Sequence, residues 1–176
     1  GLKYQIDTSK KCDIFYAMNY FGYTSTNMSS YIEEFKKQGA IVIEDITHSL
    51  LSEKAYSEAS DYLIASLRKW FPIMSGGLAV NTKGKFILQS NFNEHEKIKA
   101  MKKDAMEIKS KYMKNDVNIE KSAFLGKYKE ANQLLERAYK NYSMDADSLT
   151  ILQSLNVKEI REARRNNAKV IYDRLK

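Results

Sequence analysis

The sequence predicts an α/β protein in which a mostly parallel sheet is followed by a helical C-terminal half. Before residue 92, short apolar runs alternate with turn signals, the pattern of buried strands. One helix-period segment lies between two of those runs, and strand, helix, strand in succession is a βαβ unit whose crossover brings its strands together in parallel. After residue 92 the apolar residues recur at helical spacing instead. The chain therefore divides into an α/β part, 1–91, and a helical part, 92–176.

In chain order, the expected strands are KYQI (3–6), IFYAMNY (14–20), AIVIE (40–44), DYLIAS (61–66) and GLAVNT (77–82), the last of them antiparallel. Between the second and third lies MSSYIEEFKKQG, where Met28, Ile32 and Phe35 share a helical face and Gly39 suits a helix C-terminus. Helices are expected over 93–113, 118–141, 146–154 and 156–175. The stretch KYQIDTSKKCDIFYAMNY is short for two parallel strands, which a helix normally separates. There is no internal repeat or low-complexity linker, and Pro72 is the one proline.

A hydrophobic fraction of 43% over 176 residues is enough to bury a substantial core. No run of about 18 apolar residues suggests a membrane span, and the start GLKYQIDTSK lacks a signal-peptide stretch. With Cys12 as the single cysteine, no internal disulfide forms, and a cytoplasmic setting is expected. The net charge of +7 raises the question of an anionic partner, but the basic residues are mostly scattered. The densest run, KAMKKDAMEIKSKYMK (99–114), spaces Met101, Met106, Ile108, Tyr112 and Met113 among lysines. It reads as an amphipathic helix with a solvated face, the alternative being a site that attracts anionic ligands. No zinc-finger, basic-zipper or RNA-binding aromatic motif appears, so no nucleic-acid partner is expected.

The chemistry concentrates at strand ends. Ile41, Val42 and Ile43 run into Glu44, Asp45, Thr47 and His48, and ligands of α/β sheets gather at the carboxyl ends of parallel strands. A carboxylate there can hold a metal, act as a base, pair with a protonated ring nitrogen, or simply cap a turn. The additional His, Cys and Asp residues of a metal site are lacking, and the other histidine, His95, lies in a polar stretch of the helical half, so no metal is expected. Downstream, ASLRKWFPIMSGG (65–77) sets Ser66 three residues before Lys69 at another strand end, with Gly76 and Gly77 following. Partial burial and nearby positive charge lower a lysine pKa, which makes such a lysine a candidate Schiff-base former. Pyridoxal phosphate needs that lysine, an acid on its pyridinium nitrogen and donors for its phosphate, roles open to Lys69, Asp45 and Ser66. The plainer readings are a surface position for Lys69, a turn cap for His48 and a strand-end hydrogen bond for Ser66. Arg68 either holds a phosphate or carboxylate or makes a surface ion pair. Gly76 and Gly77 are expected to allow positive φ in a tight turn, and Tyr16, Tyr20 and Phe21 to be core residues.

NYFGYTSTNMSSYIEEFKKQGAIVIEDITHS (19–49) resembles a segment of fold-type I pyridoxal-phosphate enzymes, above all the DegT/DnrJ/StrS sugar aminotransferases. That segment runs from a "YG/FG" turn through a helix to an "EDxA(Q/H)" strand end, matched here by Glu44-Asp45-Ile46-Thr47-His48. SLRKWFPIMSGGLAV (66–80) is similar to the following block, in which the internal-aldimine lysine precedes a Gly-Gly turn and an antiparallel strand. NYSM (141–144) resembles the family's "NYRM", and REARRNNAKVIYDRL (161–175) the helix that leads toward the small domain. The resemblance implies that Asp45 pairs with the pyridine nitrogen, His48 lies near the ring hydroxyl and Lys69 forms the aldimine. It also implies that Asn141 reaches the cofactor phosphate of the neighbouring subunit in a homodimer. The implied activity is transamination of a nucleotide-linked keto sugar in surface-polysaccharide or related biosynthesis, with glutamate as amino donor. Lysine at 69 disfavours the family's dehydratase branch, where histidine replaces it. Against the family pattern, the "GEGG" turn is Met74-Ser75-Gly76-Gly77, and the serine stands three rather than five residues before the lysine. The upstream phosphate loop and ring-stacking aromatic are not found in this chain, so it resembles a fragment of the large domain, expected to be inactive alone. The alternatives are a fold-type I decarboxylase or carbon-sulfur lyase, or an inactive remnant.

Overall fold

A computed structural model describes residues 5–22, 28–86, 96–115 and 118–175, without the side chain of Asn141. It is an α/β structure with four strands and five α-helices among the described residues. The strands are β1 (Ile14–Met18), β2 (Ile41–Asp45), β3 (Tyr62–Ser66) and β4 (Gly77–Asn81); the helices are α1 (Met28–Lys37), α2 (Glu96–Met113), α3 (Lys121–Ala138), α4 (Ala146–Ser154) and α5 (Val157–Arg174). Sheet order follows chain order, with β1, β2 and β3 parallel and β4 antiparallel to β3. The expected strand at 3–6 is not found: Gln5 and Ile6 are outside any strand, and Lys3 and Tyr4 lie outside the described residues.

Side chains alternate across a strand, so register decides which residues share a face. Ala17 pairs with Glu44 and Glu44 with Leu63, whereas Met18 pairs with Asp45 and Asp45 with Ile64. One face carries Ala17 and Val42, which α1 covers with Met28 and Ile32 in a buried cluster. Phe15 on that face stacks on Phe35 of α1, ring centres 4.2 Å apart. Helix α1 ends as its sequence suggests, with Gly39 at φ +90°, a conformation glycine adopts without the penalty a side chain imposes. A second cluster of Ile46, Leu63 and Ala65 continues the apolar layer past the end of β2.

The crossover is tied by Asp61, just before β3. Its carboxylate accepts from Lys36 Nζ of α1 and from the Val42 amide of β2, both at 2.8 Å, and pairs with Lys83. Partial burial pushes its pKa up, but the bonds from Lys36, Lys83 and Val42 outweigh that and hold it at about 2. Glu44, 2% exposed, faces the covered side. It accepts from Asn19 Nδ2 at 2.8 Å, the Ser57 amide at 2.8 Å and Ser60 Oγ at 2.6 Å, so this carboxyl group is engaged in holding loops to β2.

In the helical half, α2 and α3 pack together, with Tyr112 against Phe124. The stripe that α2 buries is Ile98, Lys102 and Ala105, whereas Met113 is 68% exposed. Helix α4 is capped by Asp145, which accepts from the Ser148 amide at 2.8 Å. Helix α5 buries no residue; it touches the loop after β2 through Arg161 Nε to the Leu51 carbonyl and an Arg165–Glu53 ion pair, and Arg164 lies over the Trp70 ring.

Candidate functional site

Asp45 ends β2 on the face opposite α1. Its Oδ2 accepts from the Tyr16 hydroxyl at 2.7 Å and its Oδ1 from the Thr47 amide at 2.8 Å, so it both closes a turn and is fixed in orientation. Partial burial pushes the carboxyl pKa up; the hydrogen bonds from Thr47 and Tyr16 and the neighbouring His48 reverse this and leave it below the ordinary aspartate value. Tyr16 is pushed up to about 12 by desolvation and by its bond to the Asp45 anion. The phenol thus stays a donor and the carboxylate stays charged. Tyr16 is therefore no core residue: it is 49% exposed, and Tyr20 and Phe21 are 55% and 70% exposed.

Thr47 locks the adjoining loops. Its hydroxyl accepts from the Ser66 amide at 2.9 Å, and its carbonyl accepts from the Trp70 indole. Two residues after β2 are thereby fastened to the end of β3 and to the 3₁₀ turn Leu67–Lys69. His48 accepts the Phe21 amide at Nδ1, 2.8 Å away, and stacks on the Phe21 ring with centres 5.7 Å apart. It holds Phe21 at φ +56°, an unfavourable conformation for a residue other than glycine. The turn-capping role is thus the one the described contacts give His48.

Two adjoining clefts open at this end of the sheet. The smaller, about 390 Å³, is lined by Asp45, Ser66, Arg68, Gly76, Lys102 and Tyr142 among others; the larger, about 670 Å³, by Arg68, Lys69, Lys102, Lys109, Tyr128 and Asn132 among others. Asp45 and Ser66 thus share one cleft. Lys69 is exposed and lines the other, which has Arg68 and Lys102 in common with the first. Asn141 closes the 3₁₀ turn Tyr139–Asn141; its side chain is outside the described residues, but the next three residues, Tyr142, Ser143 and Met144, line the smaller cleft.

The turn before β4 fits its surroundings only with glycine at 76. Gly76 has φ +133°, and a Cβ there would meet Met144 Sδ at 2.8 Å. Gly77 is different from the expectation: it has no positive φ, and a Cβ would meet the Ala65 carbonyl at an ordinary 3.5 Å. Ser75 joins the turn to α4, its hydroxyl donating to Asp145 and accepting the Asp145 amide at 2.8 Å. Ser148 Oγ accepts the Met74 and Ser75 amides at 3.1 and 3.2 Å.

Lys102 is the residue that sequence reasoning missed. It is 2% exposed, with Nζ 5.5 Å from the Tyr142 ring centre. Burial above all, and then the Arg68 cation, lower its pKa, Asp145 opposes both, and the net is a value of about 8. The signal was the spacing Ile98–Lys102–Ala105, one stripe of a helix, hidden among Lys97, Lys99 and Lys103. Among the described residues, no group of three His, Cys, Asp or Glu side chains could hold a metal ion, and no helix is long and apolar enough to cross a membrane.

No family model, curated protein or solved structure matches the chain.

Proposed function

We propose that the chain carries the cofactor-binding part of a fold-type I pyridoxal-phosphate aminotransferase, a homodimer acting on a nucleotide-linked keto sugar with glutamate as donor. The observation that supports this most is Asp45: an oriented, ionised carboxylate at the carboxyl end of a parallel strand, on the wall of a cleft shared with Ser66. Its residues fit the cofactor. Asp45 Oδ1 and Oδ2 each keep a lone pair beyond the bonds from Thr47 and Tyr16, enough to hold a protonated pyridine nitrogen. Ser66 supplies a hydroxyl donor for the phosphate, and by resemblance His48 serves the ring hydroxyl and Asn141 the partner's phosphate.

The bound cofactor supplies an electron sink for the pair released when the substrate's C–H bond breaks. The chain's own residues then have separate tasks. Tyr16, kept protonated, and Thr47 hold the Asp45 carboxylate charged and aimed, so no reorganisation is needed as charge shifts. Lys69 Nζ would take the proton from the substrate carbon bearing the amino group, hold it as an ammonium, and give it up to the cofactor carbon bonded to that nitrogen. The 3₁₀ turn that carries Lys69 is anchored through Trp70 to the Thr47 carbonyl, which ties the lysine's backbone to the loop of the carboxylate.

The test is covalent trapping. Equimolar pyridoxal phosphate is added, the imine is reduced with borohydride, and the labelled peptide is sequenced by mass spectrometry. Label at Lys69, reduced at least tenfold in Asp45→Ala, is the expected result. Label concentrated at Lys102 instead, or unchanged label in Lys69→Ala, overturns the proposal.

A further inference from the structure

Phe21 and His48 are joined by a bond that exists in only one of the histidine's two charge states. The Phe21 amide donates to His48 Nδ1 at 2.8 Å, so that nitrogen keeps its lone pair. The imidazole is therefore neutral, with its proton on Nε2. The same bond holds Phe21 at φ +56°, a backbone conformation that a bulky residue avoids by itself. Phe21 and its neighbour Tyr20 are both exposed, so burial contributes little to holding the turn Tyr20–Gly22 in place.

Protonation at Nδ1 turns the acceptor into a donor, and two N–H groups then point at each other. The amide bond is lost. Ring contacts do not replace it: Phe21 stacks on His48 with centres 5.7 Å apart and Tyr20 lies 5.8 Å from the same ring, and neither contact depends on where the Phe21 N–H points. The charged form has another partner. Asp45 is the carboxylate whose charge acts on His48, and its own pKa lies below the ordinary aspartate value, so it stays ionised throughout the range in which histidine titrates. Around this pair, Tyr16 stays protonated, Tyr20 is the titratable ring against His48, and Glu44 is buried on the other side of the sheet. Neutral His48 thus favours the Phe21 amide, and charged His48 favours Asp45.

We infer that His48 and the Tyr20–Gly22 turn form a proton-operated latch beside the Asp45 carboxylate, closed while Nδ1 accepts the Phe21 amide and opened when a proton takes that lone pair. His48 is half-buried and the turn against it is exposed, so the proton comes from bulk water. Opening frees Phe21 from its left-handed backbone and draws the imidazolium to Asp45. The latch stands on the geometry of this chain and does not need the cofactor reading to hold.

The test is NMR of the cofactor-free protein between about pH 5 and pH 8, the range in which histidine ordinarily changes charge. The carbon-bound ring protons of His48 report its charge, and exchange of the Phe21 amide, relative to an unprotected amide at the same pH, reports the bond. Phe21 protection is expected to fall at least tenfold as pH falls, with the midpoint of His48. His48→Gln keeps an acceptor that does not titrate in this range, so its protection should stay within twofold across it. His48→Ala removes the acceptor and should leave Phe21 unprotected at every pH. Asp45→Asn should lower the proton affinity of His48 at least threefold. A His48 charge that does not change in this range, Phe21 protection that ignores or departs from the His48 midpoint, a fall in His48→Gln or survival in His48→Ala overturns the latch. An unmoved His48 affinity in Asp45→Asn overturns the pairing with Asp45. No pyridoxal phosphate is present, so the trapping experiment decides the cofactor reading separately.

Discussion

Glu44 and Asp45 are adjacent carboxylates with opposite fates because a strand turns successive side chains to opposite faces. Glu44 enters the covered side and satisfies Asn19, Ser57 and Ser60, whereas Asp45 faces the cleft with Tyr16. Glu44→Leu leaves the buried Ser57 amide and Ser60 hydroxyl without that acceptor and is expected to cost about 3 kcal/mol or more in denaturant unfolding, since each orphaned donor costs roughly 1–3 kcal/mol. Tyr16→Phe removes only a half-exposed hydroxyl. It should cost about 1 kcal/mol or less while moving the Asp45 titration upward toward the ordinary aspartate value, as read by carboxyl carbon NMR. An unmoved titration would mean that Thr47 alone sets the charge. The sequence placed Asp45 correctly at a strand end, because three β-branched residues lead into it. It did not show the Tyr16 hydroxyl or the Phe21–His48 pair, whose partners are 29 and 27 residues apart and meet only through strand register.

Periodicity was the legible signal among the elements. Strands β1, β3 and β4 and helix α1 fall within the stretches expected of them, β2 runs one residue past its own, and the four later helices lie close to theirs, because period-2 and period-3.6 apolar patterns bounded by turn residues leave few alternatives. What periodicity could not give was the short geometry between elements: the 3₁₀ turn that carries Arg68 and Lys69, and the difference between two neighbouring glycines. Gly76→Ala forces a side chain into φ +133° and against Met144, whose segment leads into α4. It should destabilise by about 1–3 kcal/mol and disturb the Ser75–Asp145–Ser148 linkage. Gly77→Ala, in ordinary strand backbone with 3.5 Å of room, should cost less than half as much. Thermal unfolding of the two variants side by side decides it, and equal losses would show that the turn tolerates a Cβ.

Across the whole molecule, titrating groups link the fold to its candidate sites. Asp61, Asp45 and Asp145 all have pKa values below the unfolded value of 3.8, Asp61 at about 2. Their contribution is therefore present above pH 4 and lost as pH falls through the folded values toward about 2. Lys102 acts at the other end of the scale. Its folded pKa of about 8 lies below the ordinary 10.5, so between those values the unfolded chain binds more protons and stability rises with pH. Below pH 8 the folded protein holds a buried ammonium faced by Arg68 and the Tyr142 ring, with Asp145 as the opposing charge. A residue chosen for packing alone would be apolar there, given Ile98 and Ala105 on the same stripe. Which side chains converge on Lys102 was beyond the sequence, since Arg68 and Asp145 come from distant segments joined only by the packing of α2 and α4 against the turns beside β3 and β4. Lys102→Met keeps the length and removes the charge. At pH 7 it should be more stable than the parent by on the order of 1 kcal/mol. The gain should shrink as pH rises from 8 toward 10, where the parent's amine is neutral as well. Chemical denaturation across that range measures it. A variant less stable than the parent at pH 7 would mean that the ammonium is a net structural contact, and that its burial needs no ligand to explain it.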